Sequence, residues 1–320
     1  MSRLLSAIIL VAIIWLGSYF TNNDSEKEKR QPEPQTSNAS SKKEVFFASA
    51  DTNSQGIFVL PITDAIKPIR KWTTEEPQLT AQSIYVFETG SGKILLEKSP
   101  SEIRPIASLS KLITALVIME NKDLQEKTIV SQNAIETYGE MGNLKANEEI
   151  TIENLLYALL IESSNDAAVA LAESVQGGEE KFIELMNQKA EELGLGNTHF
   201  SDPSGLNENN ASSAKDLSLL MREVIKYPLL VKIFQTPEID IKSADGKYNH
   251  HLTNSNKLLA KYPEIIAGKT GYIDEAGECM VAILNSPNNQ GLIVNVILNS
   301  QDRIQEMEKL ILWEKEAFIW

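Results

Sequence analysis

The sequence predicts an α+β fold, in which an antiparallel β-sheet is flanked by helices and carries a mostly helical insert. Two hairpin patterns lie near opposite ends of residues 77–320, and the chain between them has helical spacing. The hydrophobic content of 42% is that of a globular protein. We therefore expect residues 77–320 to form one domain whose sheet combines strands from both of its ends.

Each hairpin pattern pairs two apolar runs across a short turn. Residues 83–87 and 93–96 flank a Thr-Gly-Ser-Gly turn, and residues 280–284 and 292–298 flank a polar turn that contains a proline. Between the hairpins, five stretches have helical spacing and are separated by Gly, Asn or Pro: 108–121, 152–161, 166–176, 178–193 and 214–226. A last amphipathic helix is expected at about 302–316.

The N-terminus contains an uncharged, largely apolar run at residues 4–20, preceded by Arg3. This run is at the short limit for a membrane-spanning helix. We expect residues 1–20 to be a membrane anchor; the alternative is a cleaved signal peptide, although no A-x-A cleavage site follows. Both interpretations export the rest of the chain: it would lie on the extracytoplasmic face of the bacterial cell membrane if the anchor is retained, and would be secreted if the signal is cleaved.

Two segments precede the main domain. Residues 21–44 are almost entirely polar and have nothing to bury, which predicts a disordered linker. Residues 45–76 mix short apolar runs with prolines, and we expect an irregular segment that packs on the main domain.

Composition excludes several classes of protein. The net charge of −14 leaves no basic surface for nucleic acid. A single cysteine, Cys279, allows no intramolecular disulfide. The three histidines, His199, His250 and His251, form no H-E-x-x-H pattern, and no G-x-S-x-G elbow is present. We therefore expect no metal and no cofactor, and neither a zinc peptidase nor a histidine-based serine protease.

The S-x-x-K pattern occurs at Ser40, Ser108 and Ser212, but only Ser108 precedes a strongly apolar helix, at 109–119. A lysine on that helix, Lys111, is expected to be buried. Burial lowers a lysine pKa by up to about 3–5 units, so that a neutral amine can accept a proton. Ser108 and Lys111 are one helical turn apart, which places a base beside a potential nucleophile.

Two further motifs follow in the chain. Ser163-Ser164-Asn165 lies between two predicted helices, where the simpler interpretation is that Asn165 or Asp166 caps the second helix. Lys269-Thr270-Gly271 occurs once, next to apolar residues that predict a strand near the core. A lysine there would give the edge of the sheet a positive charge.

In this order, the three motifs are typical of penicillin-recognising serine hydrolases. The chain resembles the D-alanyl-D-alanine carboxypeptidases, which are low-molecular-weight penicillin-binding proteins. The resemblance covers roughly residues 79–314. Beyond the motifs, it includes residues 104–111, 197–200, 205–206, 213–217, 254–259 and 272–277.

The resemblance implies a role for each motif residue. Ser108 would attack the carbonyl between the last two D-alanines of a peptidoglycan stem peptide and form an acyl-enzyme. Lys111 would take its proton, and Ser163 would pass a proton to the leaving amine with help from Lys269. Asn165 would hold the peptide chain. β-Lactam antibiotics would be covalent inhibitors.

The resemblance also implies how the end of the peptide is bound. Thr270 and Lys269 would face the terminal carboxylate, and Gly271 completes their motif. Arg303 matches an arginine that assists this carboxylate in relatives, and a guanidinium suits that task. The backbone N–H groups of Ser108 and Tyr272 would form the oxyanion hole.

Three alternatives remain open at this point. A D,D-endopeptidase of the same family would have the same motifs. A class A β-lactamase shares them but needs a glutamate, and no E-x-x-x-N element follows the second motif at the expected distance. A catalytically silent cell-wall binding module would have no reason to bury a lysine on an apolar helix.

Overall fold

The computed structural model describes residues 67–139 and 143–320. The predicted anchor (1–20) and linker (21–44) lie outside the described residues, as do residues 45–66 of the irregular segment. Within the described part, no helix combines the length and the hydropathy that crossing a membrane requires.

The described residues form strands and helices in alternating groups. The strands are β1 (Ile69–Arg70), β2 (Ser83–Glu88), β3 (Lys93–Lys98), β4 (Arg104–Pro105), β5 (Lys127–Ile129), β6 (Glu149–Thr151), β7 (Ala211–Ser212), β8 (Glu238–Lys242), β9 (Asn249–Thr253), β10 (Ile265–Ile273), β11 (Gly277–Asn285), β12 (Leu292–Ser300) and β13 (Phe318–Ile319). The helices are α1 (Lys111–Asn121), α2 (Gln132–Ile135), α3 (Ile152–Ile161), α4 (Asn165–Glu173), α5 (Gly178–Glu192), α6 (Ala214–Val224), α7 (Pro228–Phe234) and α8 (Arg303–Ala317). A 3₁₀ turn, Ala107–Ser110, leads into α1.

The main sheet has five antiparallel strands in the order β10-β11-β12-β2-β3. The predicted hairpins are β2–β3 and β11–β12, and the pairing of β12 with β2 joins the two ends of the domain. The α+β fold class is confirmed, and the predicted helical stretches correspond to α1, α3, α4, α5, α6 and α8. Strand β10 stands at one edge of the sheet, next to the 3₁₀ turn.

The sheet separates two apolar cores. On β11, Val281 and Ile283 pack into the large core that includes α1 and α3 to α6. Met280 and Ala282 point the other way and pack against α8. Because successive side chains of a strand face opposite sides, a strand buried on both faces reads as a continuous apolar run.

Several short ribbons were not predicted. The β8–β9 ribbon is the longest, and it alternates exposed polar residues with the buried side chains of Ile241, His250 and Leu252. So few apolar positions give no strand signal that stands out from a loop. Near the N-terminal end of the described part, β1 pairs with β13, so residues 69–70 lie against the last strand.

Candidate active site

Ser108 lies on the 3₁₀ turn that precedes α1. The preceding residue, Ala107, has a φ of 49°, an uncommon value for an L-residue. Gly205, with a φ of 86°, approaches this turn so closely that a Cβ atom there would lie 2.1 Å from the Ala107 carbonyl oxygen. Only glycine fits at this position. The loop that carries Gly205 therefore packs directly against the turn.

Lys111 is completely buried at the start of α1. Its Nζ donates to Ser108 Oγ (3.0 Å), to Asn165 Oδ1 (2.7 Å) and to the Ser204 carbonyl oxygen. Burial lowers the pKa of Lys111 to about 7, although the negative charge of Asp202 acts in the opposite direction. A lysine with this pKa is half neutral near pH 7 and can take the Ser108 proton.

Ser163 connects α3 to α4 and has a φ of 69°. The cap of α4 is Ser164, whose side chain accepts from the backbone N–H of Ala167 (3.0 Å). The expectation that Asn165 or Asp166 caps this helix is therefore wrong. Since the cap is supplied by Ser164, the Asn165 amide is available for other contacts, and its Nδ2 donates to the Tyr138 carbonyl oxygen (3.0 Å).

Lys269 lies on β10 and is 1% exposed. Its Nζ donates to Ser163 Oγ (2.8 Å) and to the Thr270 carbonyl oxygen (2.7 Å). Burial holds the pKa of Lys269 well below its usual range, and the positive charges of Lys111 and Arg303 lower it further. The sequence alone predicted a positive sheet edge; burial and the two neighbouring cations make that charge less favourable than on an exposed lysine.

Glycine at position 271 allows β10 to approach the 3₁₀ turn. A Cβ atom on Gly271 would lie 3.0 Å from the Ile106 carbonyl oxygen and 3.1 Å from the Ser108 nitrogen, which is tighter than ordinary packing. The backbone of β10 next to Tyr272 therefore lies beside the N–H of Ser108. This proximity is what an oxyanion hole built from these two N–H groups requires.

Further groups on and beside β10 are suited to binding a carboxylate. Thr270 Oγ1 lies 3.2 Å from Ser255 Oγ. Arg303 begins α8; its Nη1 donates to the Gly271 carbonyl oxygen (2.8 Å), and its Nε lies 3.4 Å from a carboxylate oxygen of Glu278. These contacts hold the guanidinium at the end of the strand.

The residues predicted from sequence meet in one cleft of about 820 Å³. Lys111 and Lys269 lie behind its wall, each hydrogen bonded to a serine that lines it. The predicted residues that line the cleft are Ser108, Ser163, Asn165, Thr270, Gly271, Tyr272 and Arg303. All nine predicted residues are therefore brought together.

Other lining residues were missed in the sequence. Tyr138 and Gly139 border the cleft, and Gly139 touches the amide of Asn165 so closely that a Cβ atom there would lie 2.6 Å from Nδ2. Ser255 and Leu206 also line it. Both lie in stretches on which the family resemblance rests, so their position in the resemblance was the available signal.

The fold and the two serine–lysine pairs define the class of penicillin-recognising serine hydrolases. The sequence profile of the D-alanyl-D-alanine carboxypeptidase family matches residues 70–302. The chain belongs to this family, whose members are extracytoplasmic cell-wall enzymes.

Similar proteins agree with this assignment. The chain is 37% identical over 228 residues to D-alanyl-D-alanine carboxypeptidase DacF of Bacillus subtilis. The aligned region covers 69% of this chain and 58% of that relative. It is 32% identical over 248 residues to the D-alanyl-D-alanine endopeptidase of Escherichia coli, covering 75% of this chain and 79% of that protein.

Solved structures have the same fold. The D-alanyl-D-alanine carboxypeptidase from Mycobacterium tuberculosis matches with a TM-score of 0.71 and 27% identity, over 78% of this chain and 96% of that one. A mutant of the Streptomyces K15 DD-transpeptidase matches with a TM-score of 0.69 and 26% identity, over 75% of this chain and all of that one.

Proposed function

We propose that the protein is a serine-type D,D-carboxypeptidase that removes the terminal D-alanine from peptidoglycan stem peptides. One observation carries the proposal: two buried lysines, Lys111 and Lys269, are each hydrogen bonded to a serine of the same cleft. Membership of the carboxypeptidase family supplies the substrate class.

The first half of the reaction forms an acyl-enzyme. Ser108 Oγ attacks the carbonyl carbon of the penultimate D-alanine while neutral Lys111 takes the hydroxyl proton. The N–H groups of Ser108 and Tyr272 stabilise the oxyanion. The C–N bond then breaks, and Ser163 gives its hydroxyl proton to the leaving amine while it takes a proton from the ammonium of Lys269, which donates a hydrogen bond to it. Water hydrolyses the ester in the second half and restores Ser108.

Binding of the peptide is assigned to the two sides of the cleft. The Asn165 amide holds the peptide backbone, and it is fixed by its hydrogen bonds with Lys111 and the Tyr138 carbonyl. The terminal carboxylate lies against Thr270, Lys269 and Arg303, because these groups offer a hydroxyl, an amine and a guanidinium that can each donate to it.

A β-lactam carries a reactive amide beside a carboxylate, so it would acylate Ser108 and remain bound. The test is the mass of the intact protein after brief exposure to penicillin, with Ser108→Ala as control. We expect one added penicillin on the wild-type chain and none on the variant. An unlabelled wild-type chain would instead favour a non-catalytic cell-wall binding module.

A D,D-endopeptidase is the second candidate, because the chain aligns with 79% of the E. coli endopeptidase. Digestion of purified muropeptides distinguishes the two activities. Loss of one D-alanine from monomers supports the carboxypeptidase, whereas splitting of cross-linked dimers supports the endopeptidase. Rapid hydrolysis of the penicillin itself would indicate a β-lactamase.

We also propose that the protein works on the outer face of the cell membrane, anchored through residues 4–20. The uncharged apolar run and the polar segment after it support this location. The full chain should sediment with membranes and be released by detergent but not by high salt. A soluble mature protein that lacks about the first 20 residues would indicate a cleaved signal peptide instead.

A further inference from the structure

The loop between α5 and β7 is built around one carboxylate, that of Asp202. Its Oδ1 accepts hydrogen bonds from the backbone and side chain of Ser204 (both 2.6 Å) and from Gly205 N (2.7 Å). Its Oδ2 accepts from Asn207 N (2.7 Å) and from Asn210 Nδ2 (2.5 Å). Five donors on four residues therefore converge on one side chain.

The loop organised by Asp202 packs directly against the nucleophile turn and α1. The Ser204 carbonyl oxygen accepts from Lys111 Nζ, and the Pro203 carbonyl oxygen accepts from Thr114 Oγ1 (2.7 Å). Gly205 lies against the carbonyl of Ala107. The position of one of the three Lys111 acceptors thus depends on the hydrogen bonds that Asp202 makes.

We propose that Asp202 is a positioning residue for the general base: its carboxylate fixes the Ser204 carbonyl against Lys111 Nζ and supplies a negative charge behind it. This inference rests on the proposed function, since it assigns Lys111 the role of base. Asp202 itself does not contact the reacting atoms.

The charge of Asp202 stays constant where Lys111 titrates. Burial acts to raise the pKa of Asp202, but hydrogen bonds from Ser204, Asn207 and Gly205 outweigh it and hold the pKa below its usual range. The carboxylate is therefore ionised at every pH at which Lys111 gains or loses its proton. It stabilises the protonated lysine and opposes the effect of burial.

Other charges near Lys111 act differently. Lys269, on β10, interacts with Lys111 as a like charge, and Arg303 in turn acts on Lys269. On α4, the carboxyl of Asp166 interacts with the backbone at Leu144 and with Lys145. The Lys111 partners Ser108 and Asn165 are uncharged. Asp202 is therefore the acidic group whose removal should change the titration of Lys111.

The test is the pH profile of Ser108 acylation by a fluorescent penicillin, measured on the full chain in detergent. In the wild type the rate constant should rise through about pH 7. In Asp202→Asn the charge is lost, so we expect this rise to shift to lower pH by about half a unit or more. The plateau should fall about tenfold, because the amide cannot accept all five hydrogen bonds.

Two further variants separate charge from scaffold. Glu179→Gln removes a carboxylate that interacts with Asp202 but is not part of the loop, so its profile should match the wild type. Ser204→Ala keeps the Asp202 charge and the 204 carbonyl but loses the hydroxyl that donates to Asp202 Oδ1 and accepts weakly from Leu206 N (3.3 Å), so its plateau should fall about threefold without a pH shift. It also provides the test if Asp202→Asn does not fold.

The inference is overturned if Asp202→Asn is acylated with an unshifted profile, or if Ser204→Ala keeps the full plateau rate. A wild-type chain that penicillin does not label would refute the proposed function instead. The two failures are thus distinguishable in one set of measurements.

Discussion

Lys269 Nζ donates a hydrogen bond to Ser163 Oγ over 2.8 Å, and this contact joins the edge strand of the sheet to the helical insert. The two residues are separated by 106 positions in the chain. Ser163 is held at a φ of 69°, a conformation that persists only where the surroundings enforce it. The contact therefore couples Ser163, the proposed proton donor for the leaving amine, to β10, the strand proposed to bind the substrate.

The lowered pKa of Lys269 leads to the first prediction. Burial and two neighbouring cations keep its pKa well below the usual range, and the carboxylate of a bound peptide would raise it again. Binding of a peptide ending in D-Ala-D-Ala to Ser108→Ala should therefore be accompanied by proton uptake at pH values between the free and the bound pKa of Lys269. Calorimetric titration in buffers of different ionisation enthalpy measures this uptake.

The same titration with Ser108→Ala/Lys269→Gln is the control, and its binding enthalpy should not depend on the buffer. Equal enthalpies in all buffers for Ser108→Ala itself would show that Lys269 is already charged in the free protein.

The second prediction concerns Lys111→Arg. Arginine stays protonated at every accessible pH, so it cannot take the Ser108 proton. The acylation rate constant with fluorescent penicillin should fall by about 10²–10⁴, the usual contribution of a general base. Lys127→Arg, at a half-exposed position on β5, should leave the rate unchanged. Acylation by Lys111→Arg within tenfold of the wild type would assign the base to another residue.

The third prediction concerns Arg303→Gln. Loss of a charge-assisted hydrogen bond of about 1.5–3 kcal/mol should raise KM for a D-Ala-D-Ala peptide roughly 10- to 150-fold. The KM of a peptide with an amidated C-terminus should change little, because this peptide has no carboxylate with which Arg303 could interact. Steady-state release of D-alanine or D-alaninamide measures both substrates.

The control for Arg303 is Arg222→Gln, which removes an arginine that stacks on Phe87 away from the cleft. If Arg303→Gln lowers activity on the acid and the amide equally, the guanidinium acts on the structure of the site and not on the carboxylate.

The fourth prediction tests the close approach of β10 to the nucleophile. In Gly271→Ala the added Cβ would press on the Ile106 carbonyl and the Ser108 nitrogen at 3.0 and 3.1 Å. The strand must move by a few tenths of an ångström, which disturbs the oxyanion hole. We expect penicillin acylation to fall about 10²-fold, the range for loss of one oxyanion donor. Circular dichroism should show a retained fold.

Gly196→Ala is the matched control, because its Cβ would meet nothing within 4 Å and its φ lies outside the left-handed region. A Gly271→Ala variant as active as Gly196→Ala would mean that the strand does not set the geometry of the oxyanion hole.

Local patterns were enough to predict the main elements of the fold. Strands β2 and β11 run apolar over four or more residues, and burial of Lys111 followed from the apolar helix around it. In contrast, the β8–β9 ribbon has only a few buried side chains, such as Ile241 and Leu252. Its pairing is stabilised by backbone hydrogen bonds, which leave no mark in the sequence.

The sequence predicted which residues line or border the cleft, but it did not predict the charges and pKa shifts within it. The Ser204 carbonyl that binds Lys111 is a backbone group, so this contact cannot be predicted from the type of residue at position 204. Likewise, the lowered pKa of Lys269 arises first from burial and then from the charges of Lys111 and Arg303, which are distant in the chain and meet it only after folding. The sequence predicted which side chains meet in the cleft; their protonation equilibria depend on tertiary contacts.

The last prediction concerns stability and lies outside the cleft. Glu314, on α8, is 2% exposed in the core between that helix and the sheet. Burial raises its pKa to about 8, and the neighbouring Asn295 amide offsets this only in part. Because the folded-state pKa lies above the unfolded value, the folded protein binds a proton that the unfolded chain releases. The contribution of Glu314 to the free energy of unfolding is therefore fully present below about pH 4.5 and is lost as the pH rises to about 8.

Glu314→Gln should remove this dependence, because the amide mimics the neutral carboxyl and does not titrate. The free energy of unfolding in urea, wild type minus variant, should fall with a slope that approaches about 1.4 kcal/mol per pH unit between pH 5 and 8. The variant should therefore be the more stable protein at pH 8. Glu316→Gln, an exposed carboxyl on the same helix, is the control and should give a flat difference. A flat difference for Glu314→Gln as well would mean that water or a conformational change hydrates the carboxylate inside this core.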